Sequence, residues 1–297
     1  MAPPDPPFDA YLLVFAHPDD ESMFFSPVLS ALVDQQRRCA SSLDTRVLCP
    51  SLHLLSLSSG NHDGLGETRK VELVRAAEAL GVVGGGAWNS ANTVTCLDQR
   101  GLLDGPAERW DADVVAGEIG RHIAAVLPPR ATGIRGRRRV ALLTFDEMGV
   151  SGHPNHADTC RGVRHFVSKE GLVSSLAPNS SLAVEAWELV SIANPLKKYI
   201  PFLEWIPMLV AHAWFCIATL VNDTAFMRSS ILFGESDRSA GVSFQMFRPW
   251  LVWRAMAAHR SQFVWYRRLS VIFSRYTYGN ILHAIPIDEE GTPKKKR

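Results

Sequence analysis

The chain has 297 residues, of which 46% are hydrophobic and 21% are charged. This balance excludes disorder and collagen-like repeats, and the length allows one large domain with or without an appendage. The formal net charge of +1 gives no electrostatic reason to expect a nucleic-acid partner. The five cysteines form no CxxC pair, which argues against a zinc ribbon and a secreted disulfide framework and fits a reducing compartment.

Short apolar runs alternate with helical patterns along much of the chain. The predicted strands are residues 10–16, 52–57, 92–97, 140–145 and 184–192. The predicted helices are residues 22–36, residues 65–80 with Gly81 as C-cap, a helix capped by Asp111 that runs to residue 127, and a helix that begins at His156. Strands that alternate with helices imply βαβ units, so we predict an α/β, Rossmann-like fold with a mostly parallel sheet and helices on both faces.

The character of the sequence changes after Asn194. Residues 199–221 are almost wholly apolar and long enough to span a bilayer, although two prolines and one glutamate argue against one clean spanning helix. Residues 244–278 interleave aromatic side chains with arginines, which is typical of a headgroup interface. Core packing is the alternative for both segments, but we favour a C-terminal membrane-associating helical segment that contacts the membrane surface.

An acidic turn, HPDDE at residues 17–21, follows the first predicted strand directly. In open α/β sheets, ligands bind beyond the carboxyl ends of the strands. His17 and Asp20 lie three residues apart on this turn, so both side chains could reach one ion. Imidazole nitrogen plus carboxylate oxygen is a donor set that suits zinc.

A second motif, GHPNH at residues 152–156, follows the strand predicted at residues 140–145. In a parallel sheet both motifs emerge at the same edge, so His156 could supply a third ligand. Two nitrogens, one carboxylate and an open position are typical of a hydrolytic zinc site, where the metal lowers the pKa of bound water to about 7. The alternative, a surface loop with incidental histidines, is the weaker interpretation because two such motifs coincide at strand ends.

Two side chains of these motifs are left for catalysis if His17, Asp20 and His156 hold the metal. Asp19 is then available as the general base that acts on the attacking water. His153 is available to stabilise the oxyanion or to protonate the leaving group.

Both motifs resemble those of the PIG-L/LmbE family of zinc-dependent N-acetylglucosamine de-N-acetylases, which have an HPDDE turn and a later HPxH. The similarity extends to residues 57–72, 145–156 and 259–276, and the last of these resembles the C-terminal signature of the eukaryotic branch. The resemblance covers nearly the whole chain. It implies the same zinc ligands, with another divalent metal possible, and the same roles for the base and for the histidine that faces the tetrahedral intermediate.

The resemblance also assigns three residues to the substrate site. Arg69 matches a substrate-contacting arginine, whose guanidinium suits a sugar phosphate; the alternative is a helix-surface arginine paired with Glu72. Asp98 stands where the family often has a sugar-binding acid, and a plain turn is equally compatible. His259 and Gln262 match a family H-x-S-Q element that supports the substrate site, and a buried core pair is the more common explanation.

Two features depart from the family pattern. Asn155 stands between the two histidines where many bacterial members have an aspartate, and an amide cannot stabilise an imidazolium as a carboxylate does, which weakens the proton role of His153. Eukaryotic members typically begin with a transmembrane helix, whereas this sequence reaches its first predicted strand almost at once. Either the gene model is truncated, or membrane binding depends on the segments after Asn194.

The implied reaction is hydrolysis of the N-acetyl group of N-acetylglucosaminyl-phosphatidylinositol (GlcNAc-PI), the second step of GPI-anchor synthesis, at the endoplasmic reticulum membrane with the catalytic domain facing the cytosol. We predict a deacetylase core over residues 1–194, an apolar membrane-associating segment over 195–243, and a C-terminal segment over 244–297 that completes the domain. One alternative is a deacetylase of a soluble N-acetylated sugar, against which the long apolar segment argues. Another is a catalytically silent membrane-bound member, against which the intact motifs argue.

Overall fold

Strands and helices alternate along the chain in the computed structural model, which describes residues 8–41, 49–127, 138–176, 182–200, 241–246 and 248–285. The strands are β1 Ala10–Phe15, β2 Ser51–Ser56, β3 Thr93–Cys96, β4 Arg138–Phe145, β5 Leu182–Leu189, β6 Val242–Gln245 and β7 Gly279–Ala284. The helices are α1 Asp20–Phe24, α2 Ser26–Ala40, α3 Gly66–Leu80, α4 Ala112–Val126, α5 Gly149–Gly152, α6 Pro154–Leu176, α7 Pro195–Tyr199, α8 Pro249–Ala258, α9 Trp265–Phe273 and α10 Arg275–Tyr278.

The strands form one seven-stranded sheet in the order β3-β2-β1-β4-β5-β7-β6. β1 to β5 are parallel, whereas β7 pairs antiparallel with β5 and β6 pairs antiparallel with β7. All residues of β1 are buried, as expected for a central strand of a parallel sheet with both faces covered, and β1 pairs with β2 on one side and β4 on the other. The prediction of a mixed α/β fold with a mostly parallel sheet is therefore confirmed.

The strand order reverses between β1 and β4. The chain moves outward from β1 through β2 to β3, and then crosses back to β4 and continues to β5 on the other side. The connections on either side of such a reversal lie on opposite faces of the sheet, which leaves a crevice at the carboxyl ends of the two central strands. The HPDDE turn follows β1 and the HPNH motif follows β4, so both motifs border this crevice.

Local signals for helix ends were confirmed, whereas one predicted helix proved to be two. The Asp111 carboxylate accepts a hydrogen bond from the backbone N–H of Asp113 at 2.7 Å and so caps α4. Gly81 ends α3 with φ of +80°. The helix predicted at residues 22–36 is divided into α1 and α2 at Phe25, whose φ of −112° and ψ of 2° leave the helical region.

The C-terminal strand is tied to the first two helices by a buried amide. The side chain of Asn280, on β7, accepts a hydrogen bond from the backbone N–H of Val28 at 3.1 Å. It also donates to the carbonyl of Phe24 at 2.7 Å. Because Asn280 is fully buried, these bonds fix β7 beside the segment that follows the HPDDE turn.

The cysteine pattern argued against a secreted disulfide framework and fitted a reducing compartment, but Cys39 is bonded to Cys49. These residues are ten apart and meet because the end of α2 lies beside the start of β2, a proximity that cysteine spacing alone does not reveal.

Residues 201–221 of the apolar segment lie outside the described residues. Among the helices that are described, none combines the length and apolar character needed to cross a bilayer.

Candidate active site

The turn after β1 holds its carboxylates in three different directions. Asp19 has φ of +114°, which is a strained conformation for a non-glycine residue and is common at functional sites. Its backbone N–H donates to Glu21 Oε2 at 3.0 Å, and the N–H of His17 donates to Asp20 Oδ2 at 2.8 Å. The carboxylates of Asp20 and Glu21 thus hold the turn together, while the side chain of Asp19 points to other partners.

The loop after β4 presents a histidine to the same turn. His156 Nδ1 lies 2.8 Å from the carbonyl oxygen of Gly149 and thus donates its proton there, which directs Nε2 to within 3.2 Å of Asp20 Oδ1. Gly149 is required here because its φ is +59° and a Cβ atom would lie 2.6 Å from His156 Cβ. A ring N–H donated to a backbone carbonyl, with the opposite nitrogen left to bind, is the usual arrangement of a metal-binding histidine.

The two motifs together form a cluster that fits a metal ion. His17, His153 and His156 each offer a ring nitrogen, and these atoms all lie within 4.8 Å of one another. Asp20 joins the cluster through its contact with His156 and through its Oδ2, which lies 3.8 Å from His17 Nδ1. Imidazole and carboxylate donors at this spacing suit zinc or a similar divalent cation. The predicted ligands His17, Asp20 and His156 are therefore brought together, with His153 beside them.

The charges in this cluster separate the roles of its members. Burial alone would raise the pKa of Asp20, but His156 and His17 hold the pKa of this carboxyl well below its usual range. Burial, with added repulsion from His17 and His156, lowers the pKa of His153 to about 4. His153 is therefore neutral at pH 7 and can donate a hydrogen bond or accept a proton.

Asp19 is buried between two arginines. Its Oδ2 pairs with Arg267 Nη1, and its Oδ1 lies 3.6 Å from Arg69 Nη2. Burial raises the pKa of Asp19, and the two guanidinium groups oppose this rise only in part. A buried carboxylate with a raised pKa is a better proton acceptor than an exposed one, which suits a general base.

Arg69 is a buried residue that supports the site. Its Nη1 donates to the carbonyl of Gly60 at 2.8 Å and its Nη2 to the carbonyl of Pro18 at 2.7 Å. The alternative of a helix-surface arginine paired with Glu72 is wrong, because Glu72 accepts hydrogen bonds from the backbone and hydroxyl of Ser261 instead. The contacts of Arg69 join the two loops that follow β1 and β2.

The cluster also receives a carboxylate that the sequence did not predict, that of Asp104. Its Oδ1 lies 2.9 Å from His17 Nε2, and although burial would raise the pKa of Asp104, the His17 contact and nearby charges lower it to about 2. Asp98 is half exposed and pairs with Lys70 and Ser59, at 3.1 Å each. An aspartate followed by Gly and Pro beyond the end of a strand was the available signal for Asp104.

His259 lies behind the turn and is fully buried. Its Nε2 is 2.7 Å from Glu21 Oε1, and Glu21 is fully buried as well. His259 is among the residues that the resemblance assigns to the substrate site, but its ring is enclosed by protein and acts on the site through Glu21, which holds the backbone of Asp19. The buried-pair alternative matches this geometry.

Asn155 contacts the first histidine of the cluster. Its Oδ1 lies 3.2 Å from His17 Nε2, and its Nδ2 donates to the carbonyl of Glu108 at 3.3 Å. The contact with His153 is made by the Asn155 backbone, whose N–H lies 3.3 Å from His153 Nδ1. The amide at this position therefore orients His17, and the imidazole of His153 has no carboxylate from this residue.

Comparison with known proteins gives a consistent result. The family model "PIG-L: GlcNAc-PI de-N-acetylase" matches residues 12–167. The probable N-acetylglucosaminyl-phosphatidylinositol de-N-acetylase of Schizosaccharomyces pombe is 33% identical, over 92% of this chain and 86% of the relative. The Bos taurus enzyme of that name is 31% identical over 92% and 82%, and the Saccharomyces cerevisiae enzyme is 30% identical over 90% and 79%.

Proposed function

The chain belongs to the GlcNAc-PI de-N-acetylase (PIG-L) family, and from this premise we propose that it hydrolyses the N-acetyl group of GlcNAc-PI to give glucosaminyl-phosphatidylinositol and acetate. The observation that carries the proposal is the cluster of His17, His153, His156 and Asp20 beside the buried carboxylate of Asp19. It lies at the reversal of the strand order, where this class of fold binds ligands.

In this proposal the site holds a divalent metal, with zinc the candidate that suits the donors best. His17, Asp20 and His156 are the ligands, as the HPDDE and HPNH motifs predict. Bound there, the metal would supply Lewis-acid polarisation of the substrate carbonyl and activation of a water molecule. His153, whose nitrogen belongs to the same cluster, is assigned to the substrate side.

The protein side chains then divide the proton transfers between them. Asp19 accepts a proton from the water that attacks the acetyl carbon, and the carbon–nitrogen bond of the amide breaks as acetate forms. His153 donates a hydrogen bond to the oxyanion, and Asp19 passes the proton that it took from water to the leaving nitrogen, so that the amine departs neutral. Asp104 and Asn155 orient His17 through its Nε2, while Arg69 and Arg267 keep Asp19 in place.

A surface on α8 and α9 supports membrane contact. We define the aromatic face as the exposed apolar side chains of these helices, which are Trp250, Trp253, Trp265, Tyr266, Leu269, Ile272 and Phe273. Trp250 is 60% exposed and Trp265 72% exposed, and the ring of Trp253 on α8 lies 5.0 Å from that of Phe263, in the segment between the two helices. Exposed aromatic rings on a soluble surface are costly, whereas they suit lipid headgroups.

Cellular location and domain organisation follow from the same proposal. A lipid-linked substrate requires the crevice to face a bilayer, which the aromatic face would contact at the cytosolic side of the endoplasmic reticulum. Residues 1–194 would form the deacetylase core, residues 195–243 an apolar segment that adds to membrane association, and residues 244–297 the part that completes the site.

The test is an assay of purified protein on a GlcNAc-PI analogue, with and without chelator. We expect release of acetate and of the free amine, loss of both products after chelation, and recovery when zinc is returned. Lack of turnover by metal-replete protein would overturn the proposed reaction, and turnover unaffected by chelation would overturn the metal assignment. Turnover of a soluble N-acetylated sugar without any turnover of the lipid would favour the soluble-substrate alternative.

A further inference from the structure

One arginine extends from the aromatic face to the candidate base. Arg267 lies on α9, two residues after the highly exposed Trp265. Its Nη1 pairs with Asp19 and donates to Gln262 Oε1 at 2.8 Å. One short helix thus carries an apolar surface on the outside and a cation that reaches the reacting groups on the inside.

The two arginines beside Asp19 differ in how freely they can bind another anion. Arg69 is 9% exposed and donates to two backbone carbonyls. Arg267 is 24% exposed, and its contacts with the described part of the chain all use Nη1. The Nε and Nη2 side of its guanidinium is therefore available for a second, two-point contact of the kind that arginine makes with phosphate oxygens.

A lipid-linked sugar carries a negatively charged phosphodiester, which a cation of the protein can bind. In such a substrate the phosphodiester lies between the sugar, which enters the crevice, and the acyl chains, which stay in the bilayer. Arg267 occupies the same intermediate position in the protein, between Asp19 and the aromatic face. Lys198 is a second cation near the site, since its Nζ donates to the carbonyl of Val150 at 2.7 Å, in the loop after β4. It suits a phosphodiester less well than Arg267, because an ammonium group is a single point charge and not a planar fork.

We propose that Arg267 binds the phosphodiester of the substrate and so determines the preference for phosphate-linked over phosphate-free glycosides. This inference rests on the proposed function and names the residue that would recognise the lipid-linked part of the substrate. The competing interpretation is that Arg267 serves only to hold Asp19, in which case its loss would affect all substrates equally.

The experiment compares two water-soluble substrates: short-chain GlcNAc-PI below its micelle concentration, and GlcNAc-inositol, which lacks the phosphodiester. Arg267→Gln should lower kcat/KM for both, because Asp19 loses a partner. The preference for the phosphodiester substrate should fall by about tenfold or more, as expected for the loss of a two-point charged contact. Arg267→Lys, which keeps the charge without the fork, should lose part of that preference.

Arg268→Gln is the matched control. It removes the same charge from the next position of α9, where the guanidinium lies over the ring of Phe263 at 5.4 Å, and the substrate preference should stay at the wild-type value. A second measurement does not depend on turnover: binding of glycerophosphoinositol to the wild-type protein should be about tenfold tighter than to Arg267→Gln, with myo-inositol and inorganic phosphate as competitors. Strong displacement of glycerophosphoinositol by inorganic phosphate alone would indicate a general anion site and overturn the proposed specificity of Arg267 for the phosphodiester.

The possible results separate this inference from the proposed function. An equal loss on both substrates, with unchanged glycerophosphoinositol binding, would overturn the role of Arg267 and leave the deacetylase intact. Absence of turnover by the wild-type protein on either substrate would overturn the deacetylase, while the binding measurement would still report on Arg267. If Arg267→Gln does not fold, the result with Arg267→Lys decides, because its charge can still pair with Asp19.

Discussion

At the scale of single residues, His17 is held in the cluster by three polar side chains. Asp104 and Asn155 both approach its Nε2, and Asp20 binds its backbone N–H. We expect His17→Ala to lose most of the bound metal, because two remaining ligands rarely hold zinc tightly. Metal content after dialysis, measured by mass spectrometry, checks this.

His165→Ala is the control for the loss of a histidine, since His165 pairs with Asp113 at the surface of α6. It should keep its metal. Full metal occupancy in both His17→Ala and His156→Ala would contradict the proposed ligand set.

Asp19→Asn tests the base separately from the metal. The amide keeps the shape of the side chain but cannot accept a proton from water, so the metal should stay bound while kcat falls by roughly 10²–10⁴-fold. Turnover and metal content are measured on the same preparation. Wild-type turnover in this variant would contradict the assignment of Asp19.

The buried pair of His259 and Glu21 predicts how stability depends on pH. Burial alone would lower the pKa of His259, but the Glu21 carboxylate raises it above the ordinary value. A group whose pKa is higher in the folded state contributes full stability below its unfolded pKa of about 6.5, and this contribution is lost as the pH rises through the folded pKa.

Chemical unfolding of chelated protein at several pH values checks this expectation. The difference in unfolding free energy between wild type and His259→Gln should be largest near pH 6 and should shrink toward alkaline pH. A difference that is constant or grows with pH would show that His259 is not charged in the folded protein.

At the scale of elements, the loop after β4 depends on one close approach. A Cβ atom at Gly149 would lie 2.6 Å from His156 Cβ, whereas Gly152 has a similar positive φ of +77° with open space around it. Gly149→Ala should therefore displace His156 and weaken metal affinity by about tenfold or more. Gly152→Ala, which has the backbone strain without the clash, should retain most of the affinity, as measured by competition with a chelating dye.

The elements that could be predicted are those whose pattern is local. β1, β2 and β4 are buried strands that form apolar runs in the sequence, and each of their predicted bounds lies within two residues of the bound in the structure. β6 and β7 were not predicted, because their composition is mixed and they pair antiparallel at one end of the sheet. Their place depends on long-range contacts such as that of Asn280 with Val28.

The same distinction holds for the site. The two motifs could be recognised in the sequence because each is contiguous and follows a buried strand. The pair of Glu21 with His259 joins residues 238 apart, and that of Asp19 with Arg267 joins residues 248 apart. No local pattern encodes such partners, which is why the arginines after residue 244 were interpreted only as headgroup ligands and Asp104 was missed.

At the scale of the whole molecule, the aromatic face should orient the crevice toward a bilayer. Trp250→Glu combined with Trp265→Glu places two carboxylates where rings would enter the headgroup region, so binding to anionic liposomes should fall by about tenfold or more. Flotation measures binding, and the ratio of rates on liposome-borne and water-soluble substrate separates docking from chemistry. Val114→Glu is the control, because Val114 lies on α4, which packs on α6, whereas α8 packs on α3. If the double variant floats like this control and processes liposome-borne substrate equally well, the aromatic face is not the membrane surface.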